Sequence, residues 1–382
     1  MSSAPRAPLS SSARTAEEID AAREIHQELV TEWNAASSYT IPGMSARPDS
    51  CGNWYPYHVC DECGKPIFSE SHCGLRKCPE CWYQWVRETA KKIVMRIQAY
   101  RWAQDNGLDR RLVHGLFSPE QDDNWTISRV DGLRKESYER ASEAGITGGC
   151  ALLHLWRTTD DLDEEFRAAT AAGVADKKWK YIRENYGKGW RRAVEVSPHV
   201  HQIAVAPEFE PERDGWVAKR VRTLDAMKSL SHPSSYEDVA GLAMYLLSHT
   251  AVADGEQALR WFGDVYPGGF NPEEELSSGA LDTIERMAAE AVEPEDSDGD
   301  DETEQLPDEP ECEAGTPGCA GQPMPIWDVP SARRRNWWGG NLDREIEKKL
   351  SVACEWMMGD LDPPPARSEQ EAQELLERLV ER

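Results

Sequence analysis

The sequence predicts an α+β fold with a cysteine-rich module ahead of the main domain. Apolar strand-like runs at 112–118, 150–157 and 194–205 alternate with stretches whose apolar residues recur at helical spacing. Two Cys-x2-Cys pairs precede the first of these strands. With 382 residues, the chain is long enough for two or three domains and a substantial core.

The N-terminal extension, residues 1–45, is polar and predicts one helix over 16–33, with Thr15 as its cap. The start of the chain lacks the apolar segment of a secretion signal. No apolar run in the sequence approaches the length of a membrane span. We therefore expect a cytoplasmic protein without a membrane partner.

Residues 46–90 predict a zinc-ribbon module. Cys60 and Cys63 are followed, after fourteen residues, by Cys78 and Cys81, a spacing typical of zinc ribbons. Each pair would present two thiolates to one tetrahedral Zn²⁺, and four protein ligands leave no open position, which indicates a structural site. Redox-active dithiols are the alternative. Further candidate ligands lie nearby and could form a second site or replace one of these cysteines: Cys51, His58, His72 and Cys73.

The main domain is expected over 91–290. A helix over 82–104 leads into the strand at 112–118, and a helix over 133–144 separates that strand from the one at 150–157. The regular alternation of elements supports one continuous α+β domain.

The strand at 194–205 carries His199 and His201 on either side of one valine. On a strand, residues two apart point to the same face, so the two imidazoles project side by side. Neutral imidazole binds divalent cations, and the pair therefore supplies half of a metal site. The alternative is a pair of solvent-facing histidines.

A further helix is predicted over 235–249, with Ser235 as its N-cap. Its apolar stripe would pack on the core, whereas Tyr245 and His249 lie off that stripe, about one turn apart on a shared flank. The alternative for Tyr245 is an ordinary residue at the rim of an amphipathic helix.

An insertion at 158–192 begins acidic and ends basic and aromatic. Bases can stack on aromatic side chains while lysine and arginine contact phosphates, so the basic end is the predicted DNA-binding surface. The alternative is a solvated helix whose aromatic residues dock on the core. The predicted DNA-binding residues are Lys177, Lys178, Lys180, Arg183, Lys188, Arg191 and Arg192.

Residues 291–325 predict an acidic, disordered linker, since 293–313 contains twelve acidic residues and no basic one. Cys312 and Cys319 lack a second pair in sequence and give little support for a further zinc knuckle. A helical tail is expected over 326–382.

The net charge of −26 is unusual for a protein that binds DNA. Lysine is scarce, with 13 lysines and 30 arginines against 69 acidic residues. At about 1 M salt the Debye length is roughly 3 Å, so long-range repulsion from DNA nearly vanishes. The composition therefore indicates adaptation to molar salt and a haloarchaeal host.

The order of these motifs resembles the HUH endonuclease superfamily. The likeness is greatest to replication initiator (Rep) proteins of rolling-circle replicons of the haloarchaeal plasmid and pleomorphic-virus type. His199-Val200-His201 matches the His-hydrophobic-His motif, and Tyr245 matches the nucleophile of the tyrosine helix, although His249 stands where lysine is usual. The resemblance covers roughly residues 50–270. It implies a central antiparallel, RRM-like sheet with flanking helices.

The resemblance also implies site-specific nicking and joining of single-stranded DNA at a replication origin, through a 5′-phosphotyrosine on Tyr245. The expected partners are origin DNA, single-stranded or as a hairpin, and a host helicase and DNA polymerase. A host helicase is expected because the sequence has no P-loop motif.

The resemblance implies that His199 and His201 hold catalytic Mg²⁺ or Mn²⁺. His154 is the candidate third ligand, with His114 and Glu195 as rivals. His249 is expected to contact the phosphate or to help ionise the phenol.

Two other functions fit parts of the sequence. A zinc-ribbon transcriptional regulator that binds DNA explains the cysteines and the basic cluster, but leaves His199, His201 and Tyr245 without a role. An HUH relaxase or transposase shares the chemistry and differs in its biology.

Overall fold

The chain forms two compact units in the computed structural model. Unit 1 comprises 1–45 and 75–294, and unit 2 comprises 46–74 and 295–382. The module expected at 46–90 is therefore divided between the units, and the N-terminal extension belongs with the main domain. The structure describes residues 16–32, 39–104, 111–119, 125–175, 177–207, 209, 216–223, 230–253, 256–293, 311–312, 316–317, 319, 322–326, 344–357, 361 and 363–381.

Helices and strands are numbered in chain order. The helices are α1 (Ala16–Glu32), α2 (Trp82–Ala103), α3 (Ile127–Glu143), α4 (Asp160–Ala171), α5 (Lys178–Tyr186), α6 (Pro233–Ser248), α7 (Pro272–Glu275), α8 (Ser278–Val292), α9 (Arg344–Met357) and α10 (Glu369–Val380). A 3₁₀ segment, Gly187–Ala193, follows α5. The strands are β1 (Tyr39–Thr40), β2 (Trp54–Cys60), β3 (Pro66–Glu70), β4 (Arg111–Pro119), β5 (Gly148–Thr158), β6 (Val194–Ala206), β7 (Trp216–Thr223), β8 (Val252–Ala253), β9 (Arg260–Gly263), β10 (Glu311–Cys312), β11 (Thr316–Pro317) and β12 (Pro323–Pro325).

Unit 1 is built around a five-stranded antiparallel sheet with the order β7-β4-β6-β5-β9. β6 lies at its centre, where His201 is aligned with Leu116 of β4 and with Leu152 of β5. The predicted α+β class is confirmed, and β4, β5 and β6 are the three strands expected from the apolar runs.

Helices cover both faces of this sheet because its central strands are apolar on both sides. On one face, Leu152 of β5 and Ile203 of β6 pack with α2, α6 and α8. On the other face, Leu153 and Val200 pack with α3. Side chains alternate along each strand, so residues two positions from Leu152 and from Ile203 also lie on the face that α6 covers.

Two helices begin earlier than predicted. α3 starts at Ile127 because Thr126 caps it, accepting a hydrogen bond from the N–H of Arg129 at 3.4 Å. α6 starts at Pro233, ahead of the expected cap Ser235. Proline suits the first turn of a helix, where its missing N–H costs no intrahelical hydrogen bond.

Unit 2 joins two distant stretches of the chain. β2 lies between β3 and β12 in a three-stranded antiparallel sheet. α9 and α10 pack in one core with this sheet, through Leu350 and Leu375 against Val59 and Phe68. The helical tail expected after residue 326 thus forms part of this unit's core.

The linker prediction is partly wrong. Strands β10, β11 and β12 occur within the stretch expected to be disordered. Residues 294–310 of the expected linker lie outside the described residues. Within the described parts of the chain, none of the helices is long and apolar enough to cross a membrane.

Candidate active site

Three strand histidines come together on the sheet face that α6 covers. His154 of β5 is aligned with His199 of β6, and His201 lies two residues further along the same face. One ring nitrogen from each lies within 4.8 Å of the others. Nε2 of His199 is 3.1 Å from Nε2 of His201. This triad could hold a metal ion, and His154 stands where a third ligand is needed.

Two rings of the triad are oriented by backbone carbonyl groups. His199 Nδ1 lies 2.6 Å from the carbonyl oxygen of Ser197, and His154 Nε2 lies 3.0 Å from that of Leu246 on α6. A carbonyl only accepts, so these nitrogens carry the proton. The remaining nitrogen of each of these two neutral rings then carries no hydrogen and is able to bind a cation. Such outer hydrogen bonds typically accompany metal-binding histidines.

His114 of β4 contacts one histidine of the triad without belonging to the triad. Its Nε2 lies 2.8 Å from Nδ1 of His201. Glu195, the other rival ligand, instead accepts a hydrogen bond from Nε of Arg157 at 2.8 Å. The geometry therefore indicates that His114 orients His201, whereas His154 belongs with His199 and His201 as a candidate metal ligand.

Burial favours neutral imidazoles, the form that binds a metal. Burial lowers the pKa of His199 to about 4. Burial, and then the neighbouring histidines, hold the pKa values of His154 and His201 well below their ordinary value. The donor set of three neutral imidazoles suits a divalent transition-metal ion and is compatible with Mn²⁺.

Tyr245 and His249 of the α6 region lie beside this triad. Their rings are 4.8 Å apart, and the ring of His249 is 4.3 Å from that of His154. His249 is buried at the end of α6, where Ser248 Oγ lies 3.0 Å from its Nδ1. The predicted flank shared by Tyr245 and His249 is thus the side of the helix that faces the histidines.

Sequence reasoning missed two residues at this site. Trp179 of α5 donates its indole N–H to the phenol oxygen of Tyr245 at 2.6 Å. His26 of α1 is fully buried, with its ring 4.5 Å from that of His249. Both residues reach the site from elements far away in sequence, and neither belongs to a local motif that could have signalled it.

His26 has an unusual environment. Its Nδ1 lies 2.7 Å from the carbonyl oxygen of Ala22, while its buried Nε2 has no hydrogen-bond partner among the residues that the structure describes. Burial lowers the pKa of His26 to about 4. The N-terminal helix therefore contributes a neutral histidine to the edge of the site.

Three of the seven residues of the predicted DNA-binding cluster form ion pairs with acidic residues of unit 1. Arg183 contacts Glu24 at 3.3 Å, and Arg191 contacts Glu28 at 3.0 Å, both acids lying on α1. Lys178 contacts Asp163 of α4 at 2.9 Å. Arg192 is exposed, Lys177 and Lys180 are half-buried, and the side chain of Lys188 lies outside the described residues.

The aromatic residues of this cluster belong mainly to the core. Trp179 and Trp190 are only 4% and 6% exposed. The hydroxyls of Tyr181 and Tyr186 both donate to Glu165. The two tryptophans are therefore not available for stacking on bases, and the alternative of aromatic docking on the core is the one that the structure supports.

The four cysteines predicted to share one zinc do not form one group. Cys60 and Cys63 are instead grouped with Cys319, and the three thiols lie within 4.8 Å of one another. The expectation of a single site was wrong because the spacing of two Cys-x2-Cys pairs does not determine which other cysteines each pair meets. The group of Cys60, Cys63 and Cys319 could bind a metal.

In comparisons with known proteins, no family model, no curated protein and no solved structure matches this chain.

Proposed function

We propose that the protein is a metal-dependent, HUH-type nuclease that nicks and rejoins single-stranded DNA at a replication origin. It would initiate rolling-circle replication of a plasmid or virus. One observation carries the proposal: a histidine triad on one sheet face lies next to a tyrosine of the helix that covers that face.

The arrangement suits phosphoryl transfer because cation ligands and a nucleophile are close together. His154, His199 and His201 would hold Mg²⁺ or Mn²⁺, which supplies positive charge beside a non-bridging phosphate oxygen. Tyr245 is half-buried, so its hydroxyl belongs to the site without being sealed in the core. His249 bridges the two parts, since its ring contacts both His154 and Tyr245.

In the proposed step, the phenol oxygen of Tyr245 attacks phosphorus. A new bond forms between this oxygen and phosphorus, and the bond from phosphorus to the 3′ oxygen breaks. The 3′ oxygen takes up a proton, which balances the one that the phenol loses. The 5′-phosphate stays on the tyrosine, and the free 3′-hydroxyl can prime a host polymerase.

The reverse step joins strands. A 3′-hydroxyl attacks the phosphotyrosine, a phosphodiester forms, and the phenol is regenerated. Phenols ionise near pH 10 when unperturbed, so both directions need help in moving that proton. His249 is placed to accept it, and the indole N–H of Trp179 stabilises the phenolate by hydrogen bonding.

The test is adduct formation by Tyr245→Phe. The variant keeps the ring and removes the nucleophilic oxygen. Full-length protein is incubated with labelled single-stranded origin DNA and Mn²⁺, and covalent adducts are separated on a denaturing gel. We expect no adduct and no nicking, with DNA affinity close to that of the unmodified protein. Tyr266→Phe is the matched control, since Tyr266 is 56% exposed, and it should form the adduct normally.

An adduct that persists in Tyr245→Phe would show that another residue is the nucleophile. Unmodified protein that binds origin DNA with Mg²⁺ or Mn²⁺ present, yet never cleaves it, would instead support the transcriptional regulator. Cleavage at transposon ends or at a conjugative origin would keep the chemistry and change the biological role to a transposase or relaxase.

A further inference from the structure

The group of Cys60, Cys63 and Cys319 lies wholly within unit 2. The three thiols lie within 4.8 Å of one another, and Sγ of Cys60 is 3.5 Å from Sγ of Cys319. A disulfide would need about 2.05 Å between the sulfurs. Two thiolates bound to one tetrahedral zinc at about 2.3 Å each would be separated by about 3.8 Å. The observed separation is too long for a disulfide and close to that of two thiolates on one zinc.

The first two thiols are presented by a turn of the kind that binds metal. Cys60 ends β2, and the N–H of Cys63 donates to Sγ of Cys60 at 3.5 Å. The N–H of Gly64 donates to the carbonyl oxygen of Cys60 at 2.9 Å, and the N–H of Cys60 donates to that of Lys65 at 3.0 Å. Gly64 has a φ of +73°, which a residue with a side chain rarely adopts. This closed turn directs both thiols to the same side.

The third thiol is brought to this turn by backbone contacts. β12 pairs with β2, and Pro323 is aligned with Cys60. Asp61 and Gln322 exchange two hydrogen bonds, from N–H of Asp61 to the carbonyl oxygen of Gln322 at 3.0 Å and from N–H of Gln322 to Oδ1 of Asp61 at 2.8 Å. Cys319 lies three residues before Gln322, so its position over the turn is fixed by the sheet.

We propose that Cys60, Cys63 and Cys319 hold a structural Zn²⁺ in unit 2. Cys60 and Cys319 are buried, and Cys63 is half-buried. Cys319 follows β11 after one intervening residue, so the third thiol comes from a segment far from the first two in the chain.

Thiolate ligands in tetrahedral geometry bind zinc or iron. The role proposed is structural, because two of the three thiols are buried and they come from two segments that lie far apart in the chain. Zinc would connect residues that are 259 positions apart in the chain and would hold the edge strand β12 on β2. The site is independent of the nicking chemistry and can be tested without DNA.

The first measurement is zinc content. Full-length protein, Cys319→Ser and Cys354→Ser are purified without chelator, and metal per chain is determined by mass spectrometry. Cys354 is half-buried on α9 of the same unit and does not belong to this cysteine group, so its variant is the matched control. We expect Cys319→Ser to lose one equivalent of zinc and Cys354→Ser to lose none. Equal zinc in all three proteins overturns the proposal, as does iron in place of zinc.

The second measurement needs no variant and covers the case in which Cys319→Ser fails to fold. Unmodified protein is treated with a thiol-alkylating reagent before and after zinc chelation, and modified cysteines are mapped by peptide mass spectrometry. Cys60, Cys63 and Cys319 should react only after chelation. Reaction of these cysteines that is independent of chelator, or a Cys60–Cys319 disulfide, overturns the site.

Discussion

At the scale of single residues, the hydrogen bond from Trp179 to Tyr245 is the most direct influence on the proposed nucleophile. The indole donor lies 2.6 Å from the phenol oxygen, and Trp179 is 4% exposed. A donor at this oxygen stabilises the phenolate relative to the phenol by hydrogen bonding. A hydrogen bond to a charged group contributes about 1.5–3 kcal/mol.

Trp179→Phe should therefore slow nicking about tenfold to a hundredfold. The reason is that the phenol loses a group that stabilises its ionised form. Single-turnover rates of nicking provide the test. Trp190→Phe is the control, because Trp190 is also buried in the same core. Equal slowing in both variants would mean that core packing alone matters.

His114 offers a second prediction at this scale. It contacts the triad through His201, at 2.8 Å, so His114→Ala should weaken metal binding without removing a ligand. Outer partners of this kind typically contribute about 10- to 100-fold in metal affinity. We expect excess Mn²⁺ to restore nicking in His114→Ala but not in His154→Ala. Titration of nicking against Mn²⁺ distinguishes the two. Failure of Mn²⁺ to rescue His114→Ala would place His114 among the ligands.

The pair His199 and His201 could be predicted from sequence because alternation on a strand is a local property. His154 required a guess about strand neighbours, and the alignment of β5 with β6 brings it to His199. Trp179 and His26 could not be predicted, because packing between distant elements places them and no short-range pattern encodes it.

At the scale of secondary structure elements, α1 has a role that its sequence did not suggest. It places Glu24 and Glu28 against Arg183 and Arg191 of the predicted DNA-binding cluster. All four side chains are more than 40% exposed, so each pair contributes little to stability. We expect these ion pairs to weaken DNA binding instead, because a DNA phosphate must compete with a carboxylate for each guanidinium.

Replacing both acids, Glu24→Gln with Glu28→Gln, should strengthen binding to single-stranded DNA severalfold. Each additional phosphate that the freed arginines neutralise should steepen the slope of log affinity against log salt by roughly 0.7. Fluorescence anisotropy over a range of salt concentrations measures both effects. Glu290→Gln serves as the control, since it breaks a similarly exposed pair with Arg286 on α8. Unchanged affinity in the double variant would show that Arg183 and Arg191 do not contact DNA.

Elements differ in how well sequence predicted them. β4, β5 and β6 were predicted because long apolar runs dominate them, and α1 and α2 because their apolar residues recur at helical spacing. Cys60 and Cys63 were predicted as metal ligands, but with Cys78 and Cys81 as their partners instead of Cys319. Cys60 and Cys63 meet Cys319 only because β12 pairs with β2, a contact between segments more than 250 residues apart.

At the scale of the whole molecule, the net charge of −26 should make stability depend on salt. Like charges repel more in the compact state than in the unfolded chain, and molar salt screens that repulsion. We expect the protein to unfold or aggregate in dilute buffer and to regain its structure at molar salt. Near-ultraviolet circular dichroism during stepwise dilution measures the transition.

Deleting 294–310 tests where this dependence originates. The segment contains nine acidic residues and no basic one, so its removal changes the net charge from −26 to −17. The remaining excess is spread over the rest of the chain, and the salt requirement should persist. A deletion variant that is stable in dilute buffer would contradict adaptation to molar salt and would trace the excess charge to this segment.

The division of unit 2 between the two ends of the sequence has a consequence for synthesis. Residues 46–74 leave the ribosome early, but their partners at 295–382 follow only after all of unit 1 has been made. Domains generally fold as the chain emerges, so unit 1 can complete its sheet while β2 and β3 still lack β12, α9 and α10. During that interval β2 presents an unpaired strand edge and apolar side chains such as Val59 to solvent. Premature termination before β12 would leave this edge permanently open, which makes such truncated chains the form most prone to aggregate.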